Sequence, residues 1–154
     1  MLEFKLNGKD VSVDAPPEDS LLSVLTNDLD QHGLKLGCGR SQCGSCTVLI
    51  DGESVRSCVT RAQAAIGRSV TTLAGLLEDG KPNKLQQAFI DEQAAQCGYC
   101  INGMIMSAKE LLDRNPRPSE ADVRAALADN LCRCGTHARI IRAVLRAAQA
   151  SGRT

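Results

Sequence analysis

The chain is nearly bare of aromatic side chains: 154 residues include no tryptophan, one tyrosine and two phenylalanines. Its core must come from Leu, Ile, Val, Met and Ala. It also lacks an excess of charge, with 18 Lys and Arg against 18 Asp and Glu. The basic residues are dispersed, which excludes the stripe expected of a nucleic-acid groove. No apolar run approaches the length of a membrane span, so no membrane insertion is expected. The opening Met1-Leu2-Glu3-Phe4-Lys5-Leu6 carries neither an apolar signal core nor twin arginines, and the expectation is a cytoplasmic protein. No flavin fingerprint is present, and the carboxylates form no pair that can be assigned to acid–base work.

What the chain does have is eight cysteines. Four disulfides are disfavoured in a reducing compartment, which turns the reading toward metal ligation or catalysis. Two halves of about 75 residues would each have a thin core, and domains that small often rely on a metal or on disulfides.

Cys38, Cys43 and Cys46 lie at C-x4-C-x2-C in Leu36-Gly37-Cys38-Gly39-Arg40-Ser41-Gln42-Cys43-Gly44-Ser45-Cys46, and Cys58 follows after eleven intervening residues. This spacing opens the plant-type pattern for a [2Fe–2S] cluster held by four thiolates. Such a cluster carries about −2 charge, so its loop must wrap closely and aim N–H donors at sulfur. Gly37, Gly39 and Gly44 remove Cβ atoms and permit positive φ where that wrapping needs it. A second quartet is Cys97-x-x-Cys100 with Cys132-x-Cys134, each pair placed just before a helix, where free N–H groups favour negative charge.

Between the cysteines the element pattern changes once. Leu2, Phe4 and Leu6 alternate with polar residues, Asn7-Gly8 marks a hairpin turn, and Val11 and Val13 lie on the return strand. Asp19 or Ser20 caps a helix through Leu21, Leu22, Val24, Leu25 and Leu29, with Gly33 as its stop. Thr47 to Ile50, the turn Asp51-Gly52 and Glu53 to Ser57 form a second hairpin that delivers Cys58, and a short strand follows at Val70 to Leu73. Gly75 to Pro82 reads as a linker. Helical signals then take over. One helix is capped by Asn83 and runs to Ala95, and one follows Cys100. A third opens on a Ser119-x-x-Asp122 capping box, and the last carries Ile140, Ile141, Val144, Leu145 and Ala148. The expected domains are residues 1–76 and 77–154.

Blander readings stand beside these. Both quartets could hold structural zinc, although C-x-C is an uncommon zinc spacing. Cys97 and Cys100 could form a redox dithiol, but no βαβ pattern precedes them. His32 and His137 read as surface residues, since eight thiolates already complete two sites. Met104 reads as core, Met106 as core or a partner contact, and Arg40 and Arg133 either as moderators of cluster charge or as solvated loop residues.

Three motifs in order, Gly37 to Val48, Gln96-Cys97-Gly98-Tyr99-Cys100 and Asn130-Leu131-Cys132-Arg133-Cys134-Gly135-Thr136, make the chain resemble the small iron–sulfur subunit of the xanthine oxidase family of molybdenum hydroxylases. Cys100 to Ala108 is similar to the nicotinate dehydrogenase and isoquinoline oxidoreductase branch. Ile101 and His137 depart from residues common at those positions, and neither is a ligand.

The resemblance implies an α+β fold, with an N-terminal β-grasp plant-type ferredoxin domain and a C-terminal four-helix-bundle iron–sulfur domain. It implies two [2Fe–2S] clusters on this chain: a distal one on Cys38, Cys43, Cys46 and Cys58, and a proximal one on Cys97, Cys100, Cys132 and Cys134. It implies a large partner subunit bearing molybdopterin in its cytosine dinucleotide form, with Gln96 and Cys134 touching the pterin. The implied function is electron transfer, one electron at a time, through the proximal and then the distal cluster. The electrons would come from hydroxylation of an N-heteroaromatic compound or aldehyde and pass to a flavin or cytochrome acceptor. A zinc-stabilised interaction module and a free two-cluster ferredoxin are the alternatives.

Overall fold

A computed structural model describes residues 1–151. The chain begins with the antiparallel strands β1 (Leu2–Leu6) and β2 (Lys9–Val13). They are joined at Asn7-Gly8, where φ is +51° and +82°, the backbone of a type I′ turn. A second hairpin pairs β3 (Thr47–Ile50) with β4 (Glu53–Arg56) around Asp51-Gly52, which has the same backbone form. The short strand β5 (Ser69–Thr71) runs parallel to β1 and antiparallel to β3, giving the sheet order β2-β1-β5-β3-β4. This mixed sheet is the β-grasp arrangement expected.

The first helix differs from its expectation. α1 (Leu21–Ser23), capped by Ser20, makes a single turn and then widens into a π-helical segment at Val24–Asp28. It ends at Asp28, before Gly33, and Asp30 takes φ +54° beyond it. Leu21, Leu22, Val24 and Leu25 still turn into the core against Phe4, Val48, Ile50 and Val70.

The second half contains α2 (Lys84–Asp91), α3 (Ile101–Arg114), α4 (Glu120–Ala126) and α5 (His137–Ser151). Both expected caps are formed: Asn83 exchanges hydrogen bonds with Gln86, and Ser119 with Asp122. α2 stops at Asp91, short of Ala95, and Gln93 turns the chain with φ +48°. The segment read as a linker is ordered: a 3₁₀ turn spans Leu73–Leu76, and Asp79-Gly80 forms a third tight turn between Glu78 and Lys81.

The two halves share β3. All four of its residues are buried. Val48 and Ile50 belong to the first core, whereas Leu49 belongs to the helical core with Met104, Ile105, Met106, Ile140 and Val144. This explains the unbroken apolar run of Val48-Leu49-Ile50, which is typical of a strand covered on both faces. Met104 and Met106 are both fully buried, so Met106 is core and not a surface for a partner.

Candidate metal centres

The loop after α1 is built around the Cys38 thiol. Sγ of Cys38 accepts N–H groups from Gln42 (3.1 Å), Cys43 (3.3 Å) and Arg40 (3.4 Å), and Sγ of Cys43 accepts the Cys38 N–H at 3.4 Å. The N–H groups of Arg40 and Gln42 bring the Cys38 pKa down to about 6, since donors aimed at sulfur favour the thiolate. Arg40 thus acts here through its main chain. A Cβ on Gly37 would lie 2.6 Å from the Cys43 sulfur, and Gly44 has φ +83° beneath Asn130, so both glycines are required. Cys46 is buried, which pushes its thiol up to about 11. Its carbonyl accepts the Ser57 hydroxyl at 2.6 Å, which brings the neighbouring Cys58 thiol against that of Cys46.

The second quartet straddles two helix starts. Cys97 is exposed, while Cys100 is buried at the entry to α3, and burial pushes its thiol up to about 12. Burial raises the Cys132 thiol too, but the Thr136 hydroxyl at 3.3 Å and the Thr136 N–H outweigh it and bring the pKa to about 7. The Cys97 thiol meets that of Cys134, and the Cys100 thiol meets that of Cys132. Gln96 is exposed next to Cys97.

The thiols meet in pairs: Cys38 with Cys43 and Cys46 with Cys58 in the first half, and Cys97 with Cys134 and Cys100 with Cys132 in the second, where Cys97 also lies near Cys132. A structural zinc would draw four thiolates around one centre, whereas a four-thiolate [2Fe–2S] core has two irons to share them. The donor set fits the dinuclear group. His32 and His137 are both exposed and join neither quartet.

The contacts that hold the quartets together were not read from the sequence. The Leu131 N–H donates to the Cys43 carbonyl at 2.9 Å, and Nδ2 of Asn102 donates to the carbonyls of Ser45 (2.9 Å) and Thr47 (3.0 Å). The Tyr99 hydroxyl donates to the Leu36 carbonyl. Gly103 of α3 packs so closely on the Gly44 carbonyl that no Cβ fits between them. A glycine and an asparagine in the first turn of a helix with an otherwise apolar face were the available signals. Farther out, Glu110 accepts the Ser54 N–H (3.0 Å) and hydroxyl (2.7 Å).

Comparison with known proteins agrees with this geometry. Residues 4–73 match the 2Fe-2S iron-sulfur cluster binding domain family and residues 72–145 the [2Fe-2S] binding domain family. The chain is 57% identical over 148 residues to a nicotinate dehydrogenase subunit from Pseudomonas putida, covering 96% of this chain and 94% of that one. It is 49% identical over 150 residues to the alpha subunit of isoquinoline 1-oxidoreductase from Brevundimonas diminuta, covering 97% and 98%. The aldehyde oxidoreductase structure from Desulfovibrio desulfuricans superposes with a TM-score of 0.94 at 40% identity, over 98% of this chain and 17% of that one. On these grounds the chain belongs to the family of small [2Fe–2S] iron–sulfur subunits of molybdenum-dependent oxidoreductases of the xanthine oxidase type.

Proposed function

We propose that this chain is the electron-transfer subunit of a cytoplasmic molybdenum hydroxylase that acts on an N-heteroaromatic compound or an aldehyde. In this reading Cys97, Cys100, Cys132 and Cys134 hold the cluster proximal to a molybdopterin centre on a large partner subunit. Cys38, Cys43, Cys46 and Cys58 hold the distal cluster, which faces an external acceptor such as a flavin or cytochrome subunit. Bound [2Fe–2S] clusters supply one-electron acceptance and donation.

The observation that supports the reading is the pairing of the eight thiols, Cys38 with Cys43 and Cys46 with Cys58 in the first half and Cys97 with Cys134 and Cys100 with Cys132 in the second. The chain's own share is to hold and tune. The N–H groups of Arg40, Gln42 and Cys43 stabilise a thiolate at Cys38, and Thr136 does the same at Cys132. Hydrogen bonds to sulfur and the degree of exposure are the terms that set cluster potentials. We assign the two sites to domains 1–76 and 77–154, and we assign pterin contact to Gln96 and Cys134 on the side where Cys97 is exposed. The pterin is taken to be the cytosine dinucleotide form.

That this fold makes up 17% of the aldehyde oxidoreductase chain supports a much larger partner. The test is purification from the native host. Recovery in a stable complex with a large molybdenum-containing chain is expected, and recovery of this small chain alone would contradict the proposal.

A further inference from the structure

The links between the quartets are unequal. Asn102 stands two residues beyond Cys100, is only 2% exposed, and grips the main chain on both sides of Cys46 through the Ser45 and Thr47 carbonyls. Its own Oδ1 has no hydrogen-bond partner among the described residues. A buried acceptor left unpaired forfeits its hydration without recompense, so the side chain is an expensive way to fill this space. The Ser45 carbonyl already accepts the Lys35 N–H at 3.2 Å and does not need Asn102 for satisfaction. A buried polar group retained at such a cost calls for a reason other than stability, and its location supplies one. Asn102 is where the first helical turn after a ligand of one site meets the backbone flanking a ligand of the other.

We propose that Asn102 is a positioning residue that fixes Cys46 relative to Cys100, and thereby sets the separation and mutual orientation of the two iron–sulfur sites. The close seat of Gly103 on the Gly44 carbonyl lets α3 come near enough for this grip. The inference rests on the two-cluster reading above and deepens it by naming what holds the sites in register.

The test uses the full chain purified anaerobically in its native complex and reduced with dithionite. The magnetic interaction between two reduced clusters falls with the cube of their separation and depends on their relative orientation, so low-temperature splitting and pulsed dipolar measurements read the relation directly. Asn102→Leu and Asn102→Asp keep the shape but lose the two donors. Both are expected to show two signals whose mutual splitting is shifted from wild type. Glu110→Gln, which alters a link between the halves away from the cysteines, is expected to leave the splitting unchanged. Wild-type splitting in both Asn102 variants would overturn the proposal. Should a variant lose iron, selective loss from the Cys38 site supports it, whereas equal loss from both sites with a lowered melting temperature marks a purely structural residue and overturns it. A wild-type protein without two signals would sink the two-cluster reading itself, and this inference with it.

Discussion

The Leu131 N–H and the Cys43 carbonyl are joined by a 2.9 Å hydrogen bond, which ties the residue before one cysteine ligand candidate, Cys132, to another in the opposite quartet. Beside it, Oδ1 and Nδ2 of Asn130 share hydrogen bonds with the Ser107 hydroxyl while the side chain lies over Gly44. The two sites are thus parts of one packed joint formed by the first cysteine loop, the start of α3 and the turn before Cys132.

The joint makes Gly103→Ala destabilising against the usual trend. In an exposed helix interior, alanine is better than glycine by about 1 kcal/mol. Here the new Cβ would run into the Gly44 carbonyl, and overpacking of a backbone contact costs about 1–3 kcal/mol. Chemical denaturation should show a net loss of stability, and a gain would mean that the two segments can separate freely.

Cys134→Ser separates the roles of the quartets. A full complement is about four irons per chain, and loss of one [2Fe–2S] group leaves about two. Iron analysis should show this halving, and substrate-driven reduction of the Cys38 site should stop. If substrate still reduces that site at the native rate, the assigned order of proximal and distal sites is wrong.

Asp51 provides a pH-dependent strap across the sheet. Its carboxylate accepts the Ser69 N–H at 2.9 Å and pairs with Arg68 at 2.6 Å, and these contacts lower its pKa in that order. A folded-state pKa below the unfolded value means that its contribution is fully present above about pH 4 and is lost as pH falls through the lowered value. The stability difference between wild type and Asp51→Asn should therefore be constant at neutral pH and shrink under acid. A difference that persists unchanged below about pH 3, under the usual aspartate value, would contradict this assignment.

Glu110→Ala should cost stability without disturbing iron binding. It removes the acceptor of both the Ser54 N–H and its hydroxyl, and leaving such a donor unpaired costs about 1–3 kcal/mol. Denaturation with a parallel iron assay checks this, and loss of iron at unchanged stability would contradict it.

Much of this was legible in the sequence, because its signals are local. The turns at Asn7-Gly8 and Asp51-Gly52, the caps at Asn83 and Ser119, and the cysteine spacings each depend on a few adjacent residues. The features that were not legible depend on distant partners. The burial of Leu21 and Leu25 follows from their i,i+4 spacing, but the π-helical widening at Val24–Asp28 leaves no local mark in the sequence. The order in Leu73–Leu76 rests on Asn7, whose side chain takes the Thr72 N–H at 2.8 Å from the far end of β1. Asn102 and Gly103 read as ordinary helix positions until the first cysteine loop is laid against them.

Two dinuclear clusters are tested most directly by one measurement: iron, zinc and sulfide analysis with EPR of the anaerobically prepared, dithionite-reduced protein. The prediction is about four irons per chain and two distinguishable [2Fe–2S] signals integrating to about two spins. Zinc in the quartets with no EPR signal would contradict it and leave a metal-stapled interaction module in place of an electron carrier.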